Sequence, residues 1–149
     1  PEINFYQVDD VIVKSLAPLL LKVLEEDKKA LVFCSNQAQI KEIDAGLWSY
    51  GRNKFIPHIT VFDKEFSQNG FSFERQPILI SDREENHNKA DYLIFFDVPS
   101  KEFLAKFSRI FHFFEAKDKV AVQALGERMR SQASKINSYQ KKDGKWVKI

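Results

Sequence analysis

Ala30-Leu31-Val32-Phe33-Cys34 decides the fold of this chain. Five apolar residues in a row leave no polar face, so a strand here must be covered on both sides. Just beyond it, Asn36 with Gln39 three residues later forms a capping-box-like start for a helix over 36–50, and Gly51 supplies its stop. Ile40, Ile43 and Leu47 make the inward stripe of that helix, which Trp48 continues at its end.

On the N-terminal side, Leu16, Leu19, Leu20, Val23 and Leu24 fall at helical spacing and predict a helix over 15–26 with Ser15 as its N-cap. Pro18 then lies in the first turn, where its missing amide costs no intrahelical hydrogen bond. Phe5 and Tyr6 favour a strand over 3–8. Further strands are predicted over 59–63, 77–81 and 92–98, with 82–91 a solvated loop. Pro99-Ser100 opens a short helix carrying Phe103, Leu104 and Phe107, and a strand returns over 110–114. The last helix is expected over 118–134 with Ala121, Ala124, Leu125 and Met129 on one stripe, followed by a lysine-rich tail. Strands that alternate with helices, and are apolar on both faces, predict an α/β fold with a three-layer α/β/α arrangement and a mostly parallel sheet.

A chain of 149 residues has room for one domain with one core. We therefore expect a single domain over 1–149 whose basic C-terminal helix and tail begin at about 117. No apolar run approaches the ~18 residues of a membrane span, and residues 5–8 are too short for a signal core, which makes a cytoplasmic location the expectation. The single cysteine, Cys34, excludes an internal disulfide and is too few for a zinc cluster. Net charge is +2, yet 117–149 holds nine Lys and Arg against three Asp and Glu, and the rest holds 14 against 18. A basic end on an acidic body suits an acidic partner or nucleic acid approached from one side.

An open α/β sheet binds ligands beyond the carboxyl ends of its strands, which here means the loops after Val8, Cys34 and Val98. The first reads Asp9-Asp10-Val11 and the second Ser35-Asn36-Gln37, without the glycines that let a backbone approach phosphate. Cys34 at a strand end facing a helix N-terminus is a candidate nucleophile; the competing reading is a small buried apolar residue. His58, His87 and His112 show no metal spacing, and Asp63, Asp82 and Asp97 are read as turn residues.

Leu47-Trp48-Ser49-Tyr50-Gly51-Arg52-Asn53-Lys54-Phe55-Ile56-Pro57-His58 places large aromatics in a connection, where they either lid the core or offer a docking surface. In the basic end, Lys117, Lys119, Arg128, Arg130, Lys135, Lys141, Lys142, Lys145 and Lys148 can neutralise phosphates while Tyr139 and Trp146 stack on bases. Arg128 beside Leu125 and Met129 also suits a short acidic peptide with an aromatic end.

Together these features resemble the chi subunit family of bacterial DNA polymerase III holoenzyme. The resemblance runs from Phe5-Tyr6 through Ala30–Cys34 to the terminal helix, and is strongest at Leu47-Trp48 followed by Phe55-Ile56-Pro57-His58. It implies a non-catalytic protein with a nucleotide-binding-like fold that uses no nucleotide, other cofactor or metal. Its implied partners are a psi subunit in a heterodimer, the clamp loader through psi, and the acidic C-terminal tail of single-stranded DNA-binding protein. DNA contact would be mainly indirect, with no membrane association. The implied psi surface is Trp48, Phe55 and Pro57, with Phe55 foremost; the implied tail groove is Phe114, Lys117, Arg128, Met129 and Arg130. The family's Arg-x-Arg-aromatic-Lys run appears as Gly126-Glu127-Arg128-Met129-Arg130, with Gly126 in place of the first arginine and Met129 in place of the aromatic. Alternatives are a direct single-stranded nucleic-acid binder and a small α/β enzyme using Cys34.

Overall fold

The structure, a computed structural model, describes residues 1–9, 11–51, 55–63 and 73–149. Asp10 of the first turn and 52–54 of the aromatic segment lie outside the described residues. The order is β1 (Glu2–Val8), α1 (Val13–Glu25), β2 (Ala30–Phe33), α2 (Gln37–Ser49), β3 (Ile59–Thr60), β4 (Ile78–Ser81), β5 (Tyr92–Phe95), α3 (Lys101–Leu104), β6 (Arg109–Glu115), α4 (Lys119–Met129), β7 (Lys135–Lys142) and β8 (Lys145–Lys148). The strands form one sheet in the order β3-β4-β2-β5-β6-β1-β7-β8, parallel except for the antiparallel pair β7–β8.

Every residue of β2, β4 and β5 is buried, as their unbroken apolar sequences require. The two faces can be told apart by register. Phe33 pairs with Phe95, Phe95 stacks on His112 at 4.4 Å, and His112 pairs with Phe5, so these four share one face. Phe103 of α3 meets Phe33 with ring centroids 5.9 Å apart, and a Cβ at Gly126 of α4 would lie 3.6 Å from the Phe5 ring. Thus α3 and α4 cover that face. On the other face, the Tyr92 hydroxyl meets Glu26 at the end of α1, and α2 packs on α1 through Gly46 and Val13. The result is the expected α/β fold in three layers.

Several boundaries differ from the sequence reading. Helix α1 starts at Val13, with Ile12 already helical, so Ser15 is not its cap and Pro18 falls in the second turn, where it contributes no amide to the ladder. Strand β3 is limited to Ile59–Thr60 because Asp63 Oδ2 accepts from Thr60 N at 2.8 Å and turns the chain. Strand β5 ends at Phe95, short of the expected 98. The 82–91 connection is not wholly solvated: Asn88 is fully buried, and its Nδ2 donates to Ala30 O at 3.1 Å and Gln76 O at 3.0 Å.

The largest difference is the C-terminus. Helix α4 stops at Met129 and buries Val122, Leu125 and Met129, while Ala121 and Ala124 are exposed. The expected tail is a β-hairpin whose first strand pairs in parallel with β1. Its turn, Asp143-Gly144, holds both residues at positive φ, 51° and 76°. An Asp-Gly pair of this kind is a strong hairpin signal, available in the sequence.

Gly46 shows how close the two helices of one layer come. A Cβ there would lie 2.7 Å from Val13 Cγ2, and a β-branched valine on a helix has little freedom to yield. Gly46→Ala is expected to destabilise the fold by about 1–2 kcal/mol despite alanine's better helix propensity, and Val13→Ala in the same chain should recover most of that loss. Urea midpoints of the wild type, the single variant and the double variant test this.

Candidate docking surfaces

Helix α2 is capped at its start by Asn36, whose side chain accepts from Gln39 N at 2.9 Å, while Gln39 Oε1 accepts from Ser35 N at 2.9 Å. Gly51, at φ 58°, takes the left-handed conformation that ends it. Between these limits Asp44 and Trp48 stand one turn apart on the same side. His58, just before β3, fits against both: Nε2 is 2.9 Å from Asp44 Oδ1, Nδ1 is 2.7 Å from the Ile56 carbonyl, and the ring lies 4.6 Å from that of Trp48.

The His58 side chain is completely buried, as is Ile56, so together they form a rigid floor. Trp48 and Phe55 sit above it, ring centroids 5.6 Å apart, and remain 57% and 66% exposed. Pro57 is half-buried between them and the floor residues in sequence. The aromatic segment therefore does not lid the core with these two rings. Ile56 does that, and the rings face solvent as a supported pair. Sequence reasoning named Trp48, Phe55 and Pro57 but missed the Asp44–His58 support; the i, i+4 spacing of Asp44 and Trp48 is the trace it left.

The residues expected to form a tail groove separate into two groups around α4. On one side Arg128 and Lys117 border a groove of about 440 Å³ with His112, Phe114 and Leu125. On the other, Arg130 and Lys119 border a larger one of about 950 Å³ with Phe5, Phe114, Gly126 and Ile136. Phe114 reaches both, whereas Met129 is 3% exposed and packs inward between them. Arg130 is held by Glu127 at 2.7 Å and Lys117 by Glu115 at 3.5 Å. Arg128 has no carboxylate partner among the described residues. Gly126 leaves open space in the larger groove where a longer side chain would enter it.

His112 is a core histidine: its Nδ1–H donates to Phe95 O at 2.8 Å, and burial lowers its pKa against that hydrogen bond. Among the described residues no three His, Cys, Asp or Glu side chains gather as a metal site. No helix among them is long and apolar enough to cross a membrane.

A family model described as DNA polymerase III chi subunit, HolC, matches residues 1–135. The chain belongs to that family. A probable DNA polymerase III subunit chi of Rickettsia prowazekii (strain Madrid E) is 24% identical over 148 residues, covering 95% of this chain and 80% of the relative. Among solved structures, the helicase domain of Pyrococcus furiosus Hef superposes with a TM-score of 0.57 at 16% identity over 76% of this chain. The RNA helicase Prp28 from Chaetomium thermophilum, bound to ADP, gives 0.57 at 13% identity over 90%. This chain spans only 27% and 37% of those two, and the likeness is one of fold alone. Within the chi family, the match ends at Lys135, the first residue of β7, so nearly all of the hairpin lies beyond it.

Cys34 is buried at the end of β2, and burial followed by the charge of Asp82 pushes its thiol up to about 12. A nucleophile needs the opposite shift. Labelling of Cys34 by a thiol reagent at pH 8 is expected to be far slower in the native chain than in urea, because the thiolate is scarce until pH approaches the shifted value. Rapid stoichiometric labelling of the native chain would restore the enzyme reading.

Proposed function

We propose that this chi-family chain is a non-catalytic adaptor of the replicative polymerase. Trp48, Phe55 and Pro57 would dock a psi subunit that carries the clamp loader. The Arg128 side of α4 would receive the acidic C-terminal tail of single-stranded DNA-binding protein. The observation that carries this reading is the exposed Trp48–Phe55 pair on a buried floor: two rigid aromatics are already desolvated beneath and held in place before any partner arrives. Such anchors lose little conformational entropy on binding and dominate interface energetics.

For the tail, Arg128 supplies a cation not already neutralised, next to a groove whose floor includes Phe114 and Leu125. Carboxylates of an acidic peptide would pair with the guanidinium while its aromatic end enters the groove. Both partners meet at an exposed surface, so this contact should weaken as salt is raised.

Phe55→Ala is expected to leave stability within about 0.5 kcal/mol, since the ring is exposed, and to weaken psi binding by about 2 kcal/mol or more. Co-elution of the variant with co-expressed psi, together with its melting curve, checks both halves; normal co-elution would remove Phe55 from the interface.

The two grooves can also be separated. Arg128→Ala should weaken binding of the acidic tail peptide at least about tenfold with psi binding intact, whereas Arg130→Ala, whose cation is already paired, should have a smaller effect. Titration calorimetry with the peptide decides. A larger loss for Arg130→Ala would move the tail to the groove beside Gly126.

A further inference from the structure

The β7–β8 hairpin carries an aromatic ladder that the adaptor role does not use. On the α1 side of the sheet, Tyr6 of β1 stacks on Tyr139 of β7 at 4.9 Å and 14°, and meets Trp146 of β8 edge-on at 4.9 Å. Inward, the ladder continues to Phe113 of β6 at 5.4 Å. Phe113 is buried, Tyr6 and Tyr139 are half-buried, and every residue of β8 is exposed, Trp146 by 38%. The rings thus run from the core out to an open sheet surface.

Charge accompanies them. Residues 135–149 hold five lysines and one aspartate, and none of the lysines has an ion pair among the described residues. The register places Trp146 opposite Lys141 and Lys148 opposite Tyr139, so both cations share the aromatic face, with Lys141 Nζ 5.6 Å from the Trp146 ring. Lysines on an edge strand also keep it from pairing with another chain, but that role does not call for aromatic rings among them. Flat rings alternating with free cations on an open sheet are complementary to a polyanion that carries flat apolar groups.

We propose that this face binds single-stranded nucleic acid directly, with bases stacking on Tyr139 and Trp146 and phosphates meeting Lys141 and Lys148. An acidic peptide with one aromatic end would engage a single ring, whereas rings repeated along the sheet with lysines beside them match the repeated base and phosphate of a nucleic-acid strand, so the ladder favours the nucleic acid. Burial first, and the neighbouring Tyr139 next, push the Tyr6 hydroxyl up to about 12. The site rests on the hairpin alone and stands whether or not the docking surfaces at α2 and α4 are correctly assigned.

The test is fluorescence anisotropy of a labelled oligo-dT with the full chain, without any single-stranded DNA-binding protein, across a salt series. Wild type should bind, with affinity falling as salt rises. Trp146→Leu keeps an apolar side chain but removes the stacking face, and should weaken binding about tenfold. Lys141→Glu with Lys148→Glu should weaken it at least as much and flatten the salt dependence. Circular dichroism melts confirm that each variant is folded. Absence of oligo-dT binding by wild type would overturn the proposal. So would binding that falls with the lysine variants but is untouched by Trp146→Leu, or preference for poly-glutamate over oligo-dT.

Discussion

The constraint on which the molecule depends is the burial of β2, β4 and β5 on both faces. A strand such as Ala30–Phe33 exposes no polar side chain, so each face must be closed by a helix layer, and parallel neighbours joined by helices provide both layers. Once that is fixed, α1 and α2 lie on one side and α3 and α4 on the other. The connections then leave at the ends of the strands, and the two outermost strands remain as lateral edges of the sheet. The Trp48–Phe55 pair sits beside β3 at one edge and the hairpin forms the other. Seven strand spacings put these edges about 34 Å apart.

Exposure of large aromatics is tolerated where the chain builds a floor beneath them. At Trp48 the floor is His58, fixed by Asp44 and the Ile56 carbonyl; at Trp146 the neighbouring ring is Tyr6, itself stacked on Tyr139 and continuous with the core through Phe113. In both places a partly exposed ring rests against a ring beneath it, which restrains its orientation. The charge asymmetry of the sequence follows the same geography. The basic residues of 117–149 divide between the two sides of α4 and the hairpin, and ion pairing of Lys117 with Glu115 and of Arg130 with Glu127 leaves Lys119, Arg128 and the hairpin lysines without a carboxylate partner among the described residues.

Family membership and fold agree with each other and with the local chemistry. The loops after Val8, Cys34 and Val98 lack phosphate-cradling glycines, Cys34 is buried with a raised pKa, and the likeness to the two helicase structures is one of fold alone. Gly126 lines the larger groove beside α4. It lies against Phe5 with room for a side chain, and its absence of one widens the larger groove.

By itself the sequence determined the elements whose signals are local: the all-apolar strands, the Asn36–Gln39 cap, the Gly51 stop, the Ser100-capped short helix, and the Trp48 to His58 segment as a place of interest. Those depend on side chains a few residues apart and on backbone preferences. Tertiary structure alone decided which aromatics of that segment face water, because Ile56 and His58 won the interior through contacts with Asp44 and the core. It also decided the side of α4 on which each arginine stands, since burial of Val122, Leu125 and Met129 sets the helix's rotation. The hairpin is the instructive case. Its Asp-Gly turn was legible, but 135–142 is polar and lysine-rich, and it becomes a strand because the open edge of β1 offers a backbone to pair with. Pairing of that kind depends on residues more than a hundred positions apart in sequence, which no local pattern records.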